Sequence, residues 1–86
     1  MEKALICGVT GQDGAYLARW LLDKGYEVYG GSRDAQVAAT HRLRALSIGP
    51  TDVAMVSVNP ADFRSVLQAL HRIRPHEVYN LAGQSS

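Results

Sequence analysis

Apolar residues along this chain form short runs, and between the runs they recur at helical spacing. The runs predict four strands, at residues 4–7, 27–30, 53–58 and 76–82. The spaced segments predict three helices, over 15–24, over 41–47, and from Pro60 to just before Pro75. Strands and helices therefore alternate from one end of the sequence to the other.

The first and third predicted helices have recognisable ends and an apolar face. Gly25 is placed to end the first helix, whose expected buried residues are Tyr16, Leu17, Trp20 and Leu21. Asn59 is placed to cap the third helix, with Pro60 in its first turn. The expected apolar stripe of that helix is Phe63, Val66, Leu67, Leu70 and Ile73.

This alternation predicts a Rossmann-like α/β fold with a doubly wound parallel sheet. Strands joined by helical crossovers run parallel, and right-handed crossovers give the spatial order three, two, one, four. In such sheets ligands bind beyond the carboxyl ends of the strands, where the chain reverses direction between strands one and four. The turn after strand one and the segment 81–83 both fall at that place.

Three glycines, Gly8, Gly11 and Gly14, lie between the first strand and the first helix in the pattern GxxGxxG. A side chain at Gly8 would hinder the tight turn, one at Gly11 would push a diphosphate off the backbone, and one at Gly14 would lift the helix. The free amides at the start of the helix favour an anion there. The pattern indicates a dinucleotide site, with an ordinary glycine-rich turn as the alternative.

The composition excludes several classes of partner. Of the 86 residues 47% are hydrophobic and 20% charged, which is typical of a folded globular chain. The formal net charge of +1 indicates no nucleic-acid or membrane partner, so we expect a small-molecule ligand. Cys7, the single cysteine, is expected to be an inert core residue, and the three histidines lack the spacing of a metal site. Without a leader or membrane-spanning run, we expect a cytoplasmic protein.

Two longer segments are more distinctive, GVTGQDGAYL at residues 8–17 and VYNLAGQSS at 78–86. Together they resemble the GDP-mannose 4,6-dehydratases of the extended short-chain dehydrogenase/reductase superfamily, and GYEVYG at 25–30 is similar to that family's second strand. The resemblance implies that residues 1–86 are the N-terminal part of an NAD(P)-binding Rossmann domain. The catalytic and substrate regions would then lie outside this chain.

The resemblance also implies an activity. Enzymes of this family use NADP to oxidise carbon four of the sugar in GDP-mannose, eliminate water across carbons five and six, and return the hydride to carbon six. The product is GDP-4-keto-6-deoxymannose, so the expected enzyme is a lyase with a nucleotide-sugar substrate. Oxidation at carbon four acidifies the neighbouring proton, which explains why an elimination needs a redox cofactor.

The resemblance assigns cofactor contacts to residues of the glycine loop and of the strand ends. Around the diphosphate and its ribose it places Gly8, Thr10, Gly11, Gln12, Asp13 and Gly14. Arg33 is the candidate for the adenosine 2′-phosphate, because a guanidinium fork fits a phosphate. The adjacent Asp34 is the type of residue that binds the free 2′-hydroxyl of NAD, so NADP is favoured and NAD stays open. A solvated Arg–Asp pair is the alternative.

The remaining assignments lie after strands three and four. Asn59 stands where the family has an acid that contacts the adenine amine, although it can equally be a helix cap. Leu81, Ala82 and Gly83 are expected to line the cofactor. Gln84 and Ser85 are expected to border the sugar.

No catalytic residue is assigned within the chain. Catalysis in the superfamily depends on a tyrosine followed four positions later by a lysine, and no such pair occurs here. One alternative is a non-catalytic dinucleotide-binding module, and another is an epimerase or reductase acting on a related nucleotide sugar. The family's cofactor loop commonly has paired arginines that join subunits, whereas residues 31–36 contain one, so a homo-oligomer is expected as either a dimer or a tetramer.

Overall fold

A computed structural model describes residues 2–9, 11–32, 41–49, 51–59 and 61–81, without the side chains of residues 41 and 42. The elements in chain order are β1 (Lys3–Cys7), α1 (Gln12–Asp23), β2 (Glu27–Ser32), α2 (His41–Ala45), β3 (Val53–Ser57), α3 (Phe63–Ile73) and β4 (Glu77–Asn80). The predicted alternation of strands and helices is confirmed. The strand and helix ends differ from the predicted ones by a few residues, most of all at the starts of α1 and α3.

The four strands form one parallel sheet in the order β3-β2-β1-β4, as predicted. Leu5 of β1 lies opposite Tyr29 of β2 on one side and Val78 of β4 on the other. Because β1 is followed by the glycine loop, that loop leaves the sheet at its carboxyl edge between the ends of β2 and β4. The fold class is therefore a Rossmann-like doubly wound sheet.

Alternate residues of β1 supply two separate cores, one on each face of the sheet. Ala4 and Ile6 pack with residues of α1 and α2. Leu5 and Cys7 point to the opposite face and pack with residues of α3. This period-two alternation of buried side chains on both faces explains why β1 is apolar throughout.

The buried face of α1 differs from the predicted one. It consists of Gly14, Ala15, Ala18 and Leu21. Tyr16 and Trp20 are 58% and 53% exposed, so their predicted burial against the sheet is wrong. The small residues allow the helix axis to come close to the loop and the sheet, which directs the larger rings outward. Lys24 covers the Trp20 ring, with its Nζ 4.1 Å from the ring centroid.

The start of α3 also differs from the prediction. The N-cap is Asp62, whose side chain accepts a hydrogen bond from the Arg64 amide, so Asn59 does not cap this helix. Asn59 instead begins a turn in which its carbonyl accepts from the Asp62 amide. Of the predicted apolar stripe, Ile73 is buried, and Val66 and Leu70 pack against the core. Phe63 and Leu67 are exposed, at 75% and 48%.

The helix ends follow the expected stereochemistry. Gly25 has φ +87° and follows α1, as predicted for a residue that ends a helix in the left-handed region. Arg74, before Pro75, adopts φ +53° and ends α3. None of the helices in the described ranges is long and apolar enough to cross a membrane.

Side-chain hydrogen bonds connect neighbouring segments at the amino end of the sheet. The Tyr26 hydroxyl donates to Glu77 Oε2 at 2.8 Å, and the Tyr79 hydroxyl donates to Glu77 Oε1. Beside them the Lys3 amide donates to His76 Nδ1 at 3.0 Å. These contacts connect β4 to β1 and to the turn between α1 and β2, at the end of the sheet opposite the glycine loop.

Candidate functional site

The loop after β1 is held by backbone hydrogen bonds. Gly8 adopts φ +86°, a conformation that glycine reaches without steric cost. Its amide donates to the Gly31 carbonyl at 3.0 Å, and its carbonyl accepts from the Gly11 amide at 3.1 Å. The loop therefore turns sharply at the end of β1 while staying attached to the end of β2.

Gly14 is the tightest point of the site. A Cβ built on Gly14 would lie 2.3 Å from the Gly8 oxygen and 2.8 Å from the Val9 Cα. Both atoms belong to the loop backbone, which cannot move aside as a flexible side chain could. Glycine at this position brings the first turn of α1 directly against the loop. A side chain at Gly14 was predicted to lift the helix from the sheet. The contacts show that it would first push the helix away from the loop.

The first turn of α1 has backbone amides without acceptors inside the helix. Its N-cap is Gly11, in an extended conformation, and no side chain of the described residues caps it. The first backbone bond of the helix joins the Ala15 amide to the Gly11 carbonyl at 2.9 Å. The amides of Gln12, Asp13 and Gly14 therefore have no acceptor within the helix. Together with the positive end of the helix dipole, they form a site suited to an anion.

Two supporting residues were not identified from the sequence. Val9, a residue of the loop, has a fully buried side chain. A Cβ on Gly30 would lie 2.5 Å from Val9 Cγ1 and 2.9 Å from Met55 Sδ. Glycine at this position therefore leaves the space that the Val9 side chain occupies. The signal available in the sequence is the pair of glycines, Gly30 and Gly31, inside a strand that runs beside the loop.

Cys7 lies at the end of β1, directly before the loop. It is buried, and burial raises the pKa of its thiol. A thiol that stays protonated is a poor nucleophile. The structure therefore agrees with the prediction of an inert core cysteine.

The predicted cofactor residues fall partly within the described structure. Gly8, Gly11, Gln12, Asp13 and Gly14 form the loop and the first turn of α1. Leu81 follows β4 at the same edge of the sheet, where its amide donates to the Cys7 carbonyl at 2.9 Å. Thr10, Arg33, Ala82, Gly83, Gln84 and Ser85 lie outside the described residues.

Asn59 lies beyond the end of β3 and is exposed. Its side-chain Oδ1 accepts a hydrogen bond from the Ala61 backbone amide at 3.0 Å, and its backbone amide donates to Ser65 Oγ at 3.0 Å. The side chain is thus held in a local turn at the same edge of the sheet as the loop, two strands away from β1. An amide oxygen has two lone pairs, so Oδ1 retains acceptor capacity in this position.

A groove of about 340 Å³ adjoins the start of α1. It runs between α1 and α2 and is lined by Gln12, Ala15, Tyr16, Ala45 and Leu46. Among the described residues of the glycine pattern, Gln12 is the one that lines it. The groove therefore borders the anion site on the side of α2.

Known proteins are similar to this chain over nearly its full length. Residues 5–86 match the family described as GDP-mannose 4,6 dehydratase. The chain is 39% identical to the GDP-mannose 4,6-dehydratase of Yersinia enterocolitica, over 99% of this chain and 24% of that protein. It is 44% identical to GDP-mannose 4,6 dehydratase 1 of Arabidopsis thaliana, over 95% of this chain and 24% of that protein.

A solved structure shares the fold. The Bordetella bronchiseptica enzyme WbmH, in complex with NAD+, superposes with a TM-score of 0.76 and 27% sequence identity, covering 100% of this chain and 27% of that chain. The chain thus spans about a quarter of the length of the curated relatives it matches. On the family match, the chain belongs to the GDP-mannose 4,6-dehydratase family.

Proposed function

We propose that this chain is the cofactor-binding part of a longer, NADP-dependent nucleotide-sugar dehydratase that converts GDP-mannose to GDP-4-keto-6-deoxymannose. The catalytic and substrate-binding residues would belong to the rest of that protein. Family membership and the relatives' names support the choice of reaction.

One observation carries the proposal. The first turn of α1 offers three amides without acceptors inside the helix, and Gly14 lets the Gly8 carbonyl approach closely enough to place the loop against them. Such a surface fits the diphosphate of a dinucleotide, because the backbone can approach the phosphates without a Cβ between them. Asp13 adds a negative charge in the same turn, which stabilises the helix through its dipole. An ionised carboxylate cannot donate hydrogen bonds to a phosphate, so the backbone amides would do the binding.

The choice of NADP rests on Arg33. A guanidinium directly after β2 is in the region where Rossmann proteins contact the adenosine ribose, and it would bind the 2′-phosphate. The NAD+ bound to WbmH supports a nicotinamide dinucleotide for this chain without selecting between the two forms. Asn59 would contribute its Oδ1 to the adenine amine.

When bound, the nicotinamide would accept a hydride from the sugar and return it within one cycle. The residues of this chain have a different task, since none of them is proposed to transfer a proton or a hydride. The loop and α1 would hold the diphosphate, and Leu81 with Ala82 and Gly83 would line the cofactor next to it. Gln84 and Ser85 would border the sugar.

Two measurements on the full-length protein test this function. Calorimetric titration with NADP and with NAD is expected to show saturable binding, with NADP bound more tightly. Incubation with GDP-mannose is expected to yield a product that has lost one water, with no net change in the cofactor. A product of unchanged mass would instead indicate an epimerase, and binding of neither nucleotide would contradict the proposed site.

A further inference from the structure

Val9 is enclosed by two glycines, one in the sheet and one in a helix. Its side chain is fully buried, and its Cγ1 lies 2.5 Å from the position that a Cβ on Gly30 of β2 would take. Its Cα lies 2.8 Å from the position that a Cβ on Gly14 of α1 would take. Val9 therefore fills the space between β2 and the first turn of α1, and the glycine on each side leaves room for it.

The Val9 side chain has little freedom in this space. It belongs to the core cluster on the α1 face of the sheet, as does Val53 of β3, whose Cγ1 lies 3.1 Å from the same Cβ position on Gly30. Valine is branched at Cβ and has few χ1 rotamers, whereas the nearby Met55 is unbranched and adapts more easily. A group that displaces the Val9 side chain must therefore move the Val9 backbone as well.

The Val9 backbone is part of the loop that shapes the anion site. The Gly8 carbonyl belongs to the peptide group that joins Gly8 to Val9, and it accepts from the Gly11 amide at 3.1 Å. Gly11 is the N-cap of α1, and the amides of the first turn follow it directly. A shift of Val9 would reorient this peptide group and weaken the hydrogen bond that holds the N-cap.

We propose that Val9 is a positioning residue for the cofactor diphosphate, and that the side-chain volumes at positions 9 and 30 together set the distance of the loop from β2. The inference rests on the proposed function. The Val9 side chain is fully buried and packs beside Gly30, so it acts through the loop backbone and not by touching the cofactor. NADP and NAD share the diphosphate, so a displaced loop should weaken the binding of both by the same factor.

The test compares three variants of the full-length protein by calorimetric titration with NADP and with NAD. Gly30→Ala adds a methyl group against Val9 and is expected to weaken both nucleotides about three- to tenfold, because the hydrogen bonds of the loop lose their alignment. Val9→Ala removes the support of the loop and should weaken both about two- to fivefold. In the double variant the new methyl group takes the space of the lost Cγ1, so both affinities should return to within about twofold of the wild type.

Val28→Ala is the matched control. Val28 lies two residues before Gly30 on β2 and is buried in the same core cluster, but it pairs with Ala4 near the amino end of the strands, away from the loop. It loses the same two methyl groups as Val9→Ala and should lower the urea midpoint of unfolding by about as much, with both nucleotide affinities unchanged. Without nucleotide, the Gly11 amide should exchange its hydrogen faster in Gly30→Ala and in Val9→Ala than in Val28→Ala.

Three results would overturn the role of Val9 and leave the proposed function intact. They are wild-type affinity in Gly30→Ala, an affinity loss in Val28→Ala as large as that in Val9→Ala, and a double variant that binds more weakly than either single variant. Val9→Ala only removes atoms, so its comparison with Val28→Ala decides the question even where Gly30→Ala fails to fold. If the wild-type protein binds neither nucleotide, both proposals are wrong.

Discussion

The glycine loop at the carboxyl end of the sheet is held by backbone groups, whereas at the amino end side-chain hydrogen bonds converge on Glu77. The loop contacts at Gly8 and Gly14 involve amides, carbonyls and the space left by missing side chains. At the other end Tyr26 and Tyr79 both donate to Glu77. In the described residues, the first turn of α1 therefore has no side-chain cap, while at the opposite end of the sheet Glu77 accepts hydrogen bonds from two tyrosines.

This difference separates the roles of the two ends. Amides that bound protein side chains at the start of α1 would be unavailable to an anion. The amino end has no such requirement, and there a side-chain hydrogen bond connects the turn before β2 to β4, which are far apart in sequence. Substitutions at the carboxyl end should therefore change ligand binding, and substitutions at the amino end should change stability alone.

The largest effect is expected for Gly14→Ala. The new Cβ would lie 2.3 Å from the Gly8 oxygen, so the loop and the helix must separate. Overpacking of this kind costs about 1–3 kcal/mol of unfolding free energy. Both NADP and NAD should bind at least about tenfold more weakly, because several aligned hydrogen bonds are lost together. Urea unfolding and calorimetric titration of the full-length protein measure the two effects.

Gly11→Ala is the matched control for stability. A Cβ there would lie 3.4 Å from the Gly8 oxygen, an ordinary contact, and Gly11 has φ −74°. Its unfolding free energy should change much less than that of Gly14→Ala, although nucleotide binding should still weaken. Equal stability of the two variants would contradict the tight contact assigned to Gly14.

A smaller and more selective effect is expected for Arg33→Glu. Exchanging a phosphate-binding cation for a like charge should weaken NADP binding by more than about tenfold, since hydrogen bonds to charged groups contribute about 1.5–3 kcal/mol. NAD lacks the 2′-phosphate and should be affected much less. Arg72→Glu makes the same charge change on α3, which packs on the other face of the sheet, and should alter neither affinity. Equal losses for NADP and NAD would remove Arg33 from this role.

The smallest effects are expected at the amino end. Tyr26→Phe and Tyr79→Phe each remove a hydrogen bond to Glu77 and should lower Tm modestly without changing nucleotide affinity. Tyr16→Phe removes the hydroxyl of an exposed tyrosine and should leave Tm unchanged. A change in nucleotide affinity in either Glu77-contacting variant would break the separation between the two ends.

The same cluster predicts a pH dependence. Hydrogen bonds from the Tyr79 and Tyr26 hydroxyls lower the pKa of the Glu77 carboxyl, so its contribution to stability is present above the unfolded pKa and is lost as pH falls through the folded pKa. The hydrogen bond to Glu77 raises the pKa of both tyrosines, so their contribution is lost as pH rises through the folded values. Urea unfolding across pH should show that the unfolding free energy of Glu77→Gln falls less on acidification than that of the wild type.

Particular residues show how far sequence reasoning extends. The strand order and the glycine loop were predicted because parallel crossovers have one hand, and because glycine at Gly8 and Gly14 answers a local steric need. The buried face of α1 was predicted in part: Leu21 is buried and Leu17 packs against the core, but Tyr16 and Trp20 are exposed. The large side chains Tyr16 and Trp20 offer more apolar area than Ala15 and Ala18, yet close approach of the helix requires the small ones.

Caps and long-range contacts show the same division. Asn59 and Asp62 are both good N-cap residues, and only the turn after β3 selects Asp62. The contact between Tyr26 and Glu77 joins residues separated by 51 positions, for which no local pattern exists. The contact of Arg19 with the Leu46 carbonyl likewise depends on how two helices pack.

The sequence by itself determined the alternation of strands and helices, the sheet order and the positions where the backbone must lack a side chain. These features follow from the conformational limits of single residues and short segments, which do not depend on distant parts of the chain. Only the tertiary structure decided which face of α1 is buried, which residue caps α3 and which side chains meet at Glu77 and Arg19. Those outcomes depend on the distances between packed elements, and such distances are set by all the contacts of the folded chain together.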